Sequence, residues 1–344
     1  MTRLLPVFLL AFALAACTGE GTGHLTAPAS IGNAAPAGPA IQPVLADKAF
    51  IADDGVSLPL RVWLPEGKPK AVILALHGFN DYSNAFVSPA AEWAKHGIAT
   101  YAYDQRGFGE APLHGRWAGT AQLARDLTAA SRLLRARYAG TPIYLLGESM
   151  GGAVVIIAVS GAAGTPPPDA DGIILSAPAV WGRDMMNVFE RVALWTGDAF
   201  FPGMTLTGRG LRIMPSDNIE MLRALSRDPL VIKETRVDSI KGLVDVMDMA
   251  LYAAPRVAMP MLMLYGERDE IVPRAATERW IEQLPYGQRM TRRIALYSAG
   301  YHMLLRDLEA PVVMQDVESW VADHQAPLPS GADVNASAML FARR

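Results

Sequence analysis

The chain has 344 residues, of which 51% are hydrophobic and 19% charged, enough apolar material for one large core or two modest ones. The formal net charge is −3, and no Lys/Arg run or basic stripe is present, which argues against nucleic acid as a partner. With a single cysteine, Cys17, neither a disulfide framework nor a thiolate metal site can be built.

The first segment reads as an export signal. Met1-Thr2-Arg3 is a short positive start, Leu4 to Ala13 is apolar, and Leu14-Ala15-Ala16-Cys17 follows. A hydrocarbon-spanning helix needs about 20 apolar residues, so the run is too short for an anchor and fits a signal peptide over residues 1–16. Ordinary secretion with a small-residue cleavage site is one reading. The other is that Leu-Ala-Ala-Cys resembles the bacterial lipobox, in which the cysteine becomes the lipid-modified first residue. That resemblance implies lipidation at Cys17, a membrane held through the N-terminal anchor, and the cell envelope as location. Thr18, where an Asp would retain a lipoprotein at the inner membrane, implies the outer membrane. Residues 17–48 are rich in Gly, Pro, Ala, Ser and Thr without periodicity and read as a flexible tether.

From Phe50 the pattern changes. Phe50 to Ala52 and Leu58 to Leu64 flank Asp53-Asp54-Gly55, a hairpin signal. Ala71 to Leu76 and Ile98 to Tyr103 are buried-strand runs separated by a helical stretch near Asn84 to Lys95. Gln122 to Tyr138 carries helical spacing, and Pro142 to Leu146 is a strand that runs into Gly147. An apolar helix opens near Ala153, and Ile173 to Leu175, Met261 to Tyr265 and Arg293 to Tyr297 complete the strand series. Strands alternating with helices predict an α/β fold with a mostly parallel central sheet and helices on both faces. Residues 181–258 break the alternation with helical patterns and no strong strand, which predicts an inserted helical cap within a domain over residues 49–325. The small polar residues of 326–344 predict a fraying tail.

Gly147-Glu148-Ser149-Met150-Gly151 matches G-x-S-x-G between a strand and a helix, the context that makes Ser149 a candidate nucleophile. A serine hydroxyl needs a base. Of six histidines, His24 lies in the tether, His77 at an early strand end, His96 at a helix end, His114 in a polar loop and His324 before the tail. His302, after the last strand, remains. In this architecture the acid lies between serine and histidine, and Asp269, directly after Met261 to Tyr265, is favoured over its neighbour Glu267. Asp104 is out of order and reads as a turn residue. Two amides can serve a developing oxyanion: Met150, next to the nucleophile, and Phe79, in the loop opened by His77-Gly78. His77 itself reads as a packed structural histidine.

His77-Gly78-Phe79, Asp104-Gln105-Arg106-Gly107-Phe108-Gly109, Gly147 to Gly152, Gly266-Glu267-Arg268-Asp269 with Val272-Pro273, and Tyr301-His302 together resemble the monoacylglycerol lipase and lysophospholipase group of α/β-hydrolases, often grouped as serine aminopeptidases. The resemblance spans about Phe50 to Asp323. It implies an α/β-hydrolase fold and hydrolysis of monoacylglycerols, lysophospholipids or small esters through an acyl-enzyme, with no metal or cofactor. Glu110 departs from the serine many relatives carry there, and the cap holds no matching motif. Met185, Met186, Val188, Phe189, Val192, Leu194, Trp195, Phe200, Phe201 and Met204 could line an acyl pocket and touch a membrane, or form the cap's own core. Two other functions stay open: peptide hydrolysis, with Glu190 or Glu220 holding a free amine, and a non-catalytic surface lipoprotein that binds lipid.

Overall fold

The computed structural model of the chain describes residues 41–208, 210, 213–285, 291–334 and 336. The first half holds strands β1 (Val44–Leu45), β2 (Ala49–Ile51), β3 (Ser57–Trp63), β4 (Ala71–Leu76), β5 (Ile98–Tyr103), β6 (Ile143–Glu148) and β7 (Gly172–Ser176). Helices α1 (Val87–Lys95), α2 (Thr120–Arg137) and α3 (Met150–Val159) lie between them. The insertion after β7 contributes α4 (Val188–Phe200), β8 (Thr205–Thr207), α5 (Ile219–Arg227) and β9 (Glu234–Arg236). The chain then continues through α6 (Val237–Ala253), β10 (Met261–Gly266), α7 (Arg274–Glu282), β11 (Arg292–Tyr297) and α8 (Ala310–Ala322).

Among the described residues the main sheet has the order β1-β2-β3-β5-β4-β6-β7-β10-β11. Strands β5 to β11 of that order run parallel, and β1, β2 and β3 add an antiparallel edge. Side-chain alternation along a strand explains the two covered faces. Val72, Leu74 and Leu76 of β4 pack with α2, α3 and α6, whereas Ala71, Ile73 and Ala75 pack with α1 and α8. Both layers are stitched by buried indoles: Trp93 Nε1 donates to Met314 O at 3.1 Å, and Trp280 Nε1 donates to Ala250 O at 3.0 Å. Full burial of every β4 residue is why that strand reads as a continuous apolar run.

Three predicted boundaries shift. The body begins before residue 49, because β1 pairs with β2 (Val44 opposite Ile51) and Ile41 N donates to Asp53 O. The cap ends earlier than residue 258: α6 packs on α3 in the main core, and a two-stranded β8-β9 ribbon stands in the insertion. The apolar stripe of α6 serves the body, and a helical pattern alone does not tell which layer it covers. The tail is also better held than its composition suggests. Leu328, Ala332 and Ala336 are buried at four-residue spacing, and Ser330 donates through N and Oγ to the buried Asp316. Residues 337–344, the segment 1–16 and Cys17 with most of its tether lie outside the described residues. Among those described, no helix is long and apolar enough to cross a membrane.

Candidate active site

Ser149 sits between β6 and α3 with φ 53° and ψ −115°, a backbone region that side-chain-bearing residues rarely occupy. Its neighbours make the turn possible. A Cβ on Gly147 would lie 2.5 Å from Gly151 backbone, and a Cβ on Gly151 would lie 2.2 Å from the Leu76 carbonyl oxygen. The strained residue is held from β7, whose Ser176 carbonyl accepts its N–H at 2.9 Å, while Ala179 N donates to its carbonyl. Met150, the first residue of α3, is fully buried, and its N–H has no intrahelical acceptor. The helix dipole adds positive potential at the same place.

The loop after β4 reaches this turn. A Cβ on Gly78 would stand 3.4 Å from Ser149 Cβ, so the segment His77 to Phe79 runs beside the serine. His77 is fully buried, and its Nε2 accepts the Gln105 N–H at 3.0 Å. The ring proton is therefore on Nδ1, which donates to Gly78 O at 2.8 Å. Burial lowers its pKa, so this ring stays neutral and holds the loop, the structural role the sequence suggests. Phe79 lies edge-on to Phe108, with ring centroids 5.6 Å apart.

Asp269 follows β10 and His302 follows β11. Nδ1 of His302 donates to Asp269 Oδ2 at 2.8 Å, and the carboxylate is fully buried. Asp269 Oδ1 accepts the N–H groups of Ile271 and Val272 at 2.7 and 3.0 Å, which hold the carboxylate in place. Close approach of the two loops needs Gly266, where a Cβ would meet the Gly300 and Tyr301 carbonyl oxygens at 2.4 Å. Burial opposes charging of the His302 ring, but the Asp269 charge and hydrogen bond, with Glu148 behind them, hold its pKa above the ordinary 6.5. The rival acid Glu267 meets Arg274 Nη1 at 3.4 Å. The other described histidines are engaged elsewhere: His96 with Glu318, His114 with Gly109 O, and His324 stacked on Trp320. Asp104 is the turn residue expected, with Oδ1 accepting from Ser83 N and Oγ and Oδ2 from Glu110 N.

Ser149, Asp269 and His302 thus stand at the carboxyl ends of β6, β10 and β11, where open α/β sheets place their ligands. One group escapes the sequence reading. Arg306, with its side chain 8% exposed, donates Nη1 to Asp81 Oδ2 at 2.7 Å and Nη2 to Glu148 Oε1 at 2.6 Å. The signal was a glutamate ending an otherwise apolar buried strand, which demands a buried cation. Its identity was hidden by a separation of 158 residues.

A strained serine at the strand-to-helix turn of a parallel sheet, with an imidazole–carboxylate pair at neighbouring strand ends, defines a serine hydrolase of the α/β-hydrolase class. The family model described as serine aminopeptidase, S33 matches residues 67–309. The monoacylglycerol lipase of Mycolicibacterium smegmatis is 25% identical over 297 residues, covering 81% of this chain and 97% of that protein. The mouse monoglyceride lipase is 27% identical over 283 residues, covering 81% and 91%. Among solved structures, the monoacylglycerol lipase of Paleococcus ferrophilus superposes with a TM-score of 0.62 at 22% identity, over 78% of this chain and 99% of its own. A soluble variant of the Saccharomyces cerevisiae monoglyceride lipase, in complex with a substrate analogue, gives 0.66 at 18% identity, over 84% and 96%. The chain belongs to the serine aminopeptidase S33 family.

Proposed function

We propose that the protein hydrolyses carboxylic esters of monoacyl lipids, monoacylglycerols foremost, through an acyl-enzyme on Ser149. The observation that carries this reading is the strained Ser149 beside the Gly78 loop, with the buried Asp269–His302 pair at the neighbouring strand ends. The names of the relatives supply the substrate class: those of M. smegmatis and mouse are monoacylglycerol lipases.

In this mechanism His302 Nε2 takes the Ser149 Oγ proton as Oγ bonds to the ester carbonyl carbon. The oxyanion is received by the Phe79 and Met150 N–H groups. Collapse breaks the C–O bond to the glycerol oxygen, which leaves with the proton held by His302. Water then repeats the sequence on the acyl-enzyme and frees the fatty acid and Ser149. Asp269 accepts from His302 Nδ1 and keeps the proton of the neutral ring there, so that Nε2 is the basic atom. Peptide hydrolysis is less well supported. The Glu190 carboxylate accepts the Asn187 N–H in a capping box on α4, and Glu220 lies exposed in the first turn of α5, so neither forms a buried amine site.

The cap suits lipid presented at a surface. Phe189 is 82% exposed and Trp195 66%, with Val188, Val192, Phe200 and Phe201 also open on or beside α4. Such a row of open apolar side chains supports contact with the apolar edge of a lipid surface, although the polar face of α4 carries one Arg against Glu190 and Asp198. With it goes a second proposal, that Cys17 is lipidated and holds the domain at the cell envelope, at the outer membrane where there is one. Replacing Cys17 by Ser is expected to release the protein from the membrane fraction and abolish fatty-acid labelling; equal labelling of both forms would overturn that proposal. The substrate reading is tested by kcat/KM against acyl length for monoacylglycerols and p-nitrophenyl esters. Each buried methylene contributes about 0.8 kcal/mol, so the value should climb up to about fourfold per methylene until the pocket fills. A flat profile, or faster cleavage of prolyl amides than of any ester, would overturn it.

A further inference from the structure

Three loops converge on Arg306. Asp81 belongs to the turn after β4 that contains Phe79, and its N–H donates to Gly78 O at 3.3 Å to close that turn. Glu148 is the last residue of β6 and immediately precedes Ser149. Arg306 itself lies one turn after His302, with its N–H on Met303 O at 2.7 Å. The Arg306 side chain is 8% exposed, those of Asp81 and Glu148 8% and 3%. A planar guanidinium can hold two carboxylates at fixed angles from separate segments; a lysine ammonium has no such fork. The histidine loop is further braced by Asp307, which accepts the Tyr301 N–H at 2.8 Å and the Ser216 hydroxyl at 2.6 Å.

We propose that Arg306 is a positioning residue for hydrolysis: by joining Asp81 and Glu148 it fixes the relative placement of the Phe79 amide, Ser149 and His302. The proposal rests on the reading in which those three groups carry the reaction. Misplacing reacting groups by about 1 Å lowers rates by about 100-fold, so a clamp at this point acts on turnover and not on substrate affinity. It also acts on charge. The ionisable groups facing His302 are Asp269 from the loop after β10, Glu148 from the end of β6, and Arg306 from its own loop. Glu148 favours the charged ring and Arg306 opposes it.

The test compares wild type, Arg306→Lys and Glu148→Gln by kcat, KM, thermal melting, the acid limb of kcat/KM, and the rate of labelling by a fluorophosphonate. Arg306→Lys keeps the charge and loses the fork. It is expected to lower kcat by about 100-fold with KM within about threefold, a cooperative melt, and an unmoved acid limb. Glu148→Gln is isosteric and leaves the Arg306–Asp81 pair; it is expected to lower kcat and move the acid limb to lower pH, because a negative charge facing His302 is gone. Should Arg306→Lys not fold, Glu148→Gln decides alone. Wild-type kcat in the folded variants, a loss carried by KM, or an unmoved limb in Glu148→Gln would overturn the proposal. A wild-type protein that reacts with the fluorophosphonate and cleaves no ester would overturn the substrate reading, and the clamp would then be read from the labelling rates.

Discussion

Helices α3 and α4 are both rich in apolar residues and have opposite fates. In α3, Met150 through Ala158 are buried without exception; in α4 only Gly197 is. The first is apolar on every side because it lies between the sheet, α2 and α6, and it carries the Met150 amide at its start. The second is fastened at its N-terminus by the Asn187–Glu190 capping box and rests on α6 where Gly197 meets Val237, leaving Phe189, Trp195 and Phe200 open. Apolar content alone therefore says little about burial. The body uses it to pack the elements that carry the site, and the cap leaves it exposed.

That contrast can be broken most severely in the body. Replacing Ser149 or His302 with Ala, or Asp269 with Asn, should cut kcat by about 1,000-fold or more with the fold intact, and the losses should not add because the residues act as a unit. Near-normal turnover of Asp269→Asn, measured on a monoacylglycerol, would remove the acid role from Asp269. Gly151→Ala comes next. Its methyl would meet the Leu76 carbonyl at 2.2 Å, and overpacking of this kind costs about 1–3 kcal/mol or more, read as a lower midpoint in urea. An unchanged midpoint would mean that the turn relaxes easily.

The cap should respond differently. Phe200→Ser with Phe201→Ser should leave folding and short-chain ester hydrolysis nearly unchanged and lower kcat/KM for long acyl chains by about tenfold, from roughly 1.5 kcal/mol of lost apolar contact. Equal loss on short and long chains would place these residues in the structural core of the cap. The smallest effect concerns pH. His302 acts as a base only when neutral, and its pKa lies above 6.5, so kcat/KM should rise as pH climbs through a value above 6.5. An acid limb below 6.5 would show that burial outweighs the Asp269 charge.

The sequence was most legible where local chemistry and burial agree. The β4 run and the glycines around Ser149 could be read from neighbours in the chain, and the strand ends carrying Asp269 and His302, which the structure joins by a hydrogen bond, from the alternation of strands and helices. Boundaries were lost where an apolar pattern has two possible customers, as for α6, or where a few small residues suffice, as for Leu328, Ala332 and Ala336. The Arg306 cluster was out of reach because its partners lie 158 and 225 residues away, brought together only by strand order.

The central claim is that one serine carries the hydrolysis of monoacyl esters. The direct measurement is titration with a fluorophosphonate, followed by peptide mass analysis and by residual monoacylglycerol hydrolysis in the same samples. One adduct per chain is expected, on the peptide containing Ser149, with activity falling in proportion to labelling and no adduct in Ser149→Ala. Stoichiometric labelling of Ser149 with hydrolysis undiminished, or an adduct on another serine that tracks activity, would contradict it.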